Sequence, residues 1–379
     1  MAKKNLSTLG QNFVVGLPKA ELDLDTRTYL RAIRPGGIIL FARNITSPAA
    51  VAELNAQVRD LLGKDVLICL DHEGGRVNRI KEFLGVIPSA QQLGVTGKTA
   101  LAYEHGLWGG KVMRLLGFNW DLCPVVDLAL KREVDNSVSD RTWSADPLET
   151  VAFAGAFAKG LLKEGVLPCG KHFPGYGAAN KDPHFNLPLV DRTKKQLMEV
   201  DLVPYMKLAK SKLIPSIMIG HGHFPCFHKD PYPASISKVI IEGLLRKTLK
   251  YQGAVVTDDL EMGAITKMLP IEESAVKTLQ AGSDLVLICH TPSIMINAFE
   301  AVEKAYKDGE ISEKTIEISQ KRVAKFKAMV PKSVKYSDKA FEKIKKDTAR
   351  FTDKVMSQLP ESFQLLQTNL SAVGEAYKK

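Results

Sequence analysis

The sequence predicts an α/β protein, a (β/α)8 barrel of the TIM type with an appended C-terminal helical tail, and three observations lead there. Eight short apolar runs recur along the 379 residues. Between them, apolar residues return every three or four positions, so strand and helix alternate. Ionisable residues gather where the runs end, at Asp71, Asp127, Lys171, His172, His221, Asp258 and His290. Alternation alone fits an open doubly wound sheet as well as a closed barrel. The count of eight and the ionisable rim favour the barrel, whose enzymes place their chemistry at the strand ends.

In chain order the runs are 10–17, 36–41, 65–71, 119–128, 166–173, 214–221, 253–259 and 283–290. Their continuous apolar character implies burial on both faces, as in parallel sheets whose crossovers are right-handed helices. Helical spacing is clearest over 47–62, 147–163 and 194–210. Beyond His290 the pattern stays helical, and from Pro331 it becomes rich in Lys with weaker periodicity. The expected division is a catalytic barrel over residues 1–330 and a helical extension over 331–379. No GxGxxG or GxxxxGK[ST] follows a run, so the phosphate cradle of a nucleotide-binding fold is missing.

Composition narrows the function classes. With 45% hydrophobic and 25% charged residues the chain can bury a full core. The net charge of +10 is diffuse, about four units of it lying in the last 49 residues, and no basic stripe with interleaved aromatics marks a nucleic-acid surface. Five cysteines, Cys69, Cys123, Cys169, Cys226 and Cys289, are an odd number, lie far apart and mostly sit inside apolar runs. They read as reduced core residues and favour a reducing compartment. The amino terminus lacks the pattern of a signal peptide, and the apolar runs are far shorter than a bilayer span. A cytoplasmic protein without a membrane span is expected, as monomer or homodimer.

Three clusters can carry chemistry. CGKHFPGYGAANKDPHFNLP, residues 169–188, leaves a run at Lys171 and His172 and enters a Gly- and Pro-rich loop holding Asp182 and His184. A D-x-H spacing in extended chain puts both side chains on one side, and a carboxylate beside an imidazole raises its basicity for proton transfer. VVTDDLEMGAI, residues 255–265, ends a run in Asp258 and Asp259, of which one can act as nucleophile or base and the other as a helix cap. LDHEGGRVNRI, residues 70–80, sets Asp71 at a run end ahead of Arg76 and Arg79, groups suited to sugar hydroxyls or to a structural ion pair. For each cluster the bland reading, a solvated pair or a cap, stays open. The His221-Gly222-His223 pair has the spacing of two metal ligands. It lies on the sixth run rather than an early one, which weighs against a metal-dependent hydrolase.

Taken together, KHFPGYG followed by DPH, LDHEGGRVNR, GFNWDLCPVVDL, RTWSADP and VVTDDLEM resemble glycoside hydrolase family 3, in its β-N-acetylglucosaminidase branch, over residues 9 to about 310. The resemblance implies a (β/α)8 barrel that removes terminal β-linked N-acetylglucosamine with retention, through a covalent glycosyl-enzyme intermediate. It places the nucleophile on Asp258 and the acid/base on His184 supported by Asp182, in contrast to the two carboxylates of most retaining glycosidases. It implies substrate contacts from Asp71, Arg79, Arg141, Lys171 and His172, with Met218, Ile219 and His221 near the acetamido group. No cofactor or metal is required, and the implied partner is a carbohydrate, an N-acetylglucosaminyl muropeptide from peptidoglycan turnover. Pro183 departs from the branch, where Ser more commonly separates the dyad. An imidazole in place of a carboxylate also leaves phosphate open as an acceptor instead of water. The remaining rivals are the metal-dependent barrel hydrolase and a sugar-binding protein without turnover.

Overall fold

Eight parallel strands form a single sheet that closes on itself in a computed structural model describing residues 6–360 and 363. The rest of the expected tail, 361–362 and 364–379, lies outside the described residues. The strands are β1 Phe13–Gly16, β2 Gly37–Ile39, β3 Leu67–Leu70, β4 Trp120–Asp121, β5 Leu167–Phe173, β6 Ser216–Ile219, β7 Ala254–Thr257 and β8 Val286–Ile288. Neighbours in sequence are neighbours in the sheet, and β8 pairs with β1 in the register Phe13–Val286. The last seam, β7 to β8, is closed by a parallel bridge between Val256 and Leu285. There Leu285 N donates to Val255 O at 2.9 Å and Thr257 N to Leu285 O at 3.1 Å.

The crossover helices are α1 Leu24–Ile33, α2 Pro48–Leu62, α3 Thr99–Leu116, α4 Pro147–Glu164, α5 Val203–Lys210, α6 Ile271–Ala281 and α7 Pro292–Asp308. A wider helical segment, Val239–Thr248, joins β6 to β7. Local chemistry sets several boundaries. Ser47 caps α2 by accepting from Ala50 N, and Asp146 caps α4 by accepting from Leu148 N and Glu149 N. Each is followed by Pro at the first helical position, where no intrahelical donor is lost.

Two expectations are modified. The run 119–128 pairs as a strand over only two residues, because Pro124 has no N–H to offer the ladder. Beyond it the pairing continues through Cys169 N to Cys123 O at 2.8 Å and a bridge between Val125 and Lys171. The stretch 194–210 is one turn at Lys194–Gln196, a wider turn at Leu197–Asp201 and then α5. Pro204 withholds the N–H that a continuous helix would need, so the winding slips there.

Strand alternation divides the core in two. Phe13 and Val15 of β1 face the helices, whereas Val14 joins Leu67, Cys69, Trp120, Cys169 and Val256 inside the barrel. Cys69, Cys123, Cys169 and Cys289 are buried and unbridged; Cys226 is half-buried. The helix after α7, α8 Glu313–Lys327, covers the N-terminal end of the barrel and inserts Val323 and Phe326. Phe326 meets Trp120 edge-on, centroids 5.3 Å apart at 77°. Trp120 in turn donates its indole N–H to Ser216 Oγ at 3.0 Å. The tail then folds back as α9 Asp338–Met356, which buries Phe341, Phe351 and Val355 and lays Phe351 6.0 Å from the His105 ring of α3.

Phe326 is the plug of the barrel floor, so Phe326→Ala is expected to cost about 3–5 kcal/mol. Urea unfolding checks this: the midpoint falls while the slope with denaturant stays that of the parent.

Candidate active site

The C-terminal ends of the strands bring the chemistry together. Asp71 follows β3 directly, Lys171 and His172 lie at the end of β5, and Asp258 follows β7. Past Asp71 the chain folds into a small hairpin, His72–Gly74 against Val77–Asn78, which carries Glu73 and delivers Arg79. The hairpin turns at Gly74, φ +95°, where a Cβ would lie 2.1 Å from Pro88 O, so only glycine fits.

Lys171 is the centre of a buried ion cluster. Its ammonium, 2% exposed, lies 2.7 Å from Asp71 Oδ1 and 2.6 Å from Glu73 Oε1. Arg141 grips Glu73 with two parallel bonds of 2.8 Å, and Arg79 Nη2 stands 3.3 Å from Asp71 Oδ2. Burial alone would raise the pKa of both acids, but Lys171 with Arg79 holds Asp71 well below the usual range, and Arg141 with Lys171 brings Glu73 down to about 2. Burial would likewise lower Lys171, yet the two carboxylates push it upward. Three cations face two carboxylates, which leaves one positive charge and several N–H donors for a ligand's oxygens.

Next to this cluster His172 Nδ1 lies 2.8 Å from Asp127 Oδ2, while Asp127 Oδ1 accepts from Tyr176 N at 2.7 Å. The imidazole is thereby held with Nε2 toward Arg141 Nη2, 3.4 Å away. Of the acid pair after β7, Asp258 faces the cavity and accepts Asp259 N on Oδ1 at 2.9 Å. Asp259 bends aside to accept Glu261 N at 3.1 Å and to pair with His290 at 3.2 Å. Burial works to raise the Asp258 pKa; His172, His221 and His184 outweigh it and lower it. Asp258 is an ionised carboxylate at neutral pH.

On the facing loop His184 Nδ1 lies 2.6 Å from Asp182 Oδ1. The loop is docked on the segment after β7, with Gly263 N donating to His184 O at 3.0 Å and Ala264 N to Pro183 O at 3.2 Å. The bond to Asp182 raises the His184 pKa against an opposing burial effect. Burial opposes the fall of Asp182 too, but its bonds to His184 lower it.

One cavity of about 300 Å³ collects Asp71, Arg79, Arg141, Lys171, His172, His184 and Asp258, with Asp182 standing behind His184. Phe41, Leu122, Met218 and Leu287 supply apolar wall. Its size is at the lower end of the roughly 300–1,000 Å³ of small-ligand sites. Sequence reasoning missed Glu73, although its place two residues past Asp71 was a usable signal. It also missed Glu261, which accepts from Cys289 N at 3.0 Å and His290 N at 2.5 Å and so ties β8 to the loop after β7. Ile219 does not line the cavity, because alternation turns it to the outer core while Met218 faces in. His221 sits behind Asp258, its Nδ1 2.7 Å from Ser235 Oγ and its Nε2 2.8 Å from Asp259 O. His223 Nδ1 accepts from Tyr232 N at 3.3 Å, so the two histidines of this pair have separate partners. Among the described residues no three His, Cys, Asp or Glu side chains gather as a metal-ligating group.

The family model for the glycosyl hydrolase family 3 N terminal domain matches residues 9–326. The chain belongs to glycosyl hydrolase family 3. Within that family it is 34% identical over 285 residues to the Beta-hexosaminidase of Alkalilimnicola ehrlichii, covering 74% of this chain and 80% of that one. Its fold superposes on the family 3 β-N-acetylglucosaminidase of a Paenibacillus species with a TM-score of 0.84 at 30% identity, covering 93% of this chain and 69% of that one. NagZ from Neisseria gonorrhoeae, solved in complex with N-trifluoroacetyl-D-glucosamine, superposes with a TM-score of 0.75 at 25% identity, covering 92% and 98%. As a family 3 glycoside hydrolase the chain is an enzyme, and the rim cavity is where its barrel concentrates ionisable groups.

The ion cluster makes stability depend on acid. Glu73 has a folded pKa below its ordinary 4.5, so its contribution is complete above that value and is lost as pH falls toward about 2. Denaturant titrations from pH 5 to pH 2 should show stability declining across this window. Glu73→Gln should be less stable than the parent at pH 7 and should have a flatter decline. An unchanged slope would show that Glu73 does not carry it.

Proposed function

We propose that the protein is a retaining exo-β-N-acetylglucosaminidase in which Asp258 is the nucleophile and His184, oriented by Asp182, is the acid/base. The observation that carries the reading is the pairing across one cavity of an ionised Asp258 with an imidazole whose pKa is raised by a bonded carboxylate. They are close enough for the charge on each to favour the charged form of the other.

In the first step Asp258 attacks the anomeric carbon as protonated His184 gives its proton to the departing glycosidic oxygen. The bond to the aglycone breaks as the ester to Asp258 forms. In the second step neutral His184 takes a proton from water, the water oxygen attacks the same carbon, and Asp258 is released. Asp71 accepts from sugar hydroxyls while Arg79, Lys171, Arg141 and His172 offer donors, fixing the ring against Asp258. A cavity of this size admits one sugar unit, in keeping with removal of terminal residues. The name of the Paenibacillus neighbour, a β-N-acetylglucosaminidase, supports N-acetylglucosamine as that unit, and the Beta-hexosaminidase relatives support a hexosamine. The natural substrate is an N-acetylglucosaminyl anhydromuropeptide met in the cytoplasm, a reading supported by the family resemblance and by a +10 balance suited to acidic fragments.

Release of nitrophenol from 4-nitrophenyl N-acetyl-β-D-glucosaminide tests the assignment. Asp258→Asn should lose roughly 10³-fold or more of kcat. His184→Ala should lose roughly 10²- to 10⁴-fold on substrates with poor leaving groups and less on nitrophenol. Undiminished release by Asp258→Asn would remove the nucleophile from this scheme.

The pH profile gives a second check. The first step needs protonated His184, so kcat/KM falls as pH rises through its pKa, which Asp182 holds above the ordinary 6.5. Asp182→Asn removes the largest cause of the elevation, and the falling limb should move to lower pH. A limb that stays in place would detach Asp182 from proton transfer.

A further inference from the structure

At the opposite end of the barrel from Asp258 lies a second cavity, of about 310 Å³, walled by the start of α8, the end of α6, one side of the Val239–Thr248 segment and the chain entering β8. Its lining is rich in cations. Lys238, Lys247, Lys314 and Arg322 face it, against Glu242 and Asp284. Asp284 is already neutralised: Oδ2 lies 2.5 Å from Arg246 Nη2 and accepts Val255 N, and Oδ1 lies 3.3 Å from Arg322 Nη1. Lys238, Lys247 and Lys314 are exposed and have no ion pair among the described residues.

The N-terminus of α8 forms one wall, with Ser312 as its cap and Lys314 and Thr315 in its first turn. A helix start favours anions through its unsatisfied N–H groups and dipole. An independent feature points the same way. Ser283, 1% exposed, lines the cavity, and its hydroxyl is buried without a hydrogen-bond partner among the described residues. A buried hydroxyl left unpaired costs free energy unless something in the cavity completes it.

The geometry points to a second, non-catalytic ligand site here, for a phosphate-bearing small molecule of up to monosaccharide size. Lys238, Lys247, Lys314 and the α8 N-terminus suit the phosphate. Gln280, Ser283, Ser312 and Thr315 offer hydroxyls and an amide for further oxygens. The volume is close to that of the rim cavity, so a single sugar ring can accompany the phosphate. The same chemistry can come from inorganic phosphate or from a sugar phosphate.

Calorimetric titration of the full chain with glucose 6-phosphate, inorganic phosphate and glucose separates these sources. Binding of about one glucose 6-phosphate per chain, tighter than phosphate, with none of glucose, supports a sugar phosphate. Equal affinity for phosphate and glucose 6-phosphate supports phosphate as the ligand. In either case the double variant Lys238→Ala with Lys314→Ala, at exposed positions, should weaken binding about tenfold or more. Ser283→Ala should weaken it several-fold without lowering the melting temperature of the unliganded protein. His184→Ala, in the rim cavity, should leave it unchanged. No binding of either phosphate compound, binding indifferent to the lysine and Ser283 variants, or binding abolished by His184→Ala would overturn the proposal.

Discussion

A lysine ammonium withdrawn from water is the constraint around which the rim is organised. Lys171 comes from β5, Asp71 from β3, Glu73 from the hairpin beyond it, and Arg141 from the loop after β4. Each of these charges would be costly to bury alone, and removing any one partner strands another. The cluster therefore clamps the ends of β3 and β5, the hairpin after β3 and the loop after β4 into one arrangement. That arrangement presents its donors before any ligand arrives, which spares the reorganisation that a flexible site would need. Ser137 adds to the clamp from a left-handed backbone conformation at φ 68°, its carbonyl accepting from Arg76 at 2.7 Å and Arg141 at 3.0 Å.

The contrast between the two halves of the site is one of stiffness. Asp258 is held by the barrel itself, its N–H donating to Ile219 O of β6 at 2.8 Å. His184 has a side chain 58% exposed on a loop that rests on Gly263 and Ala264 by two backbone bonds. Gly263 permits that approach, since a Cβ there would meet Phe185 O at 2.7 Å. For the mechanism proposed above, a rigid Asp258 and a lightly docked His184 suit a reaction in which one group must stay aligned and the other must serve two different oxygens.

How far the sequence could be read follows from which forces are local. Strand positions were legible because burial on both faces writes an unbroken apolar run, and helix starts because Ser47 and Asp146 precede Pro. The pairing of Asp182 with His184 was legible because two residues suffice to describe it. Glu73 was not, because its partners Lys171 and Arg141 lie about 70 to 100 positions away and only the closed barrel joins them. From the residues alone, without the resemblance, which acid of Asp258 and Asp259 faces the cavity was hidden for the same reason, since it depends on which acid meets His290. Ile219 was misplaced because a resemblance identifies a segment, whereas pleating decides which neighbour faces inward. The breaks at Pro124 and Pro204 were written in the sequence, each as a missing donor.

Phe326 and Trp120 close the floor of the barrel, and Met218 and Leu287 belong at once to that packed interior and to the wall of the rim cavity. The packed interior therefore leaves no passage from the rim cavity through the barrel. Under the function proposed above, a polymer cannot be threaded through such a floor and is met only at its tip.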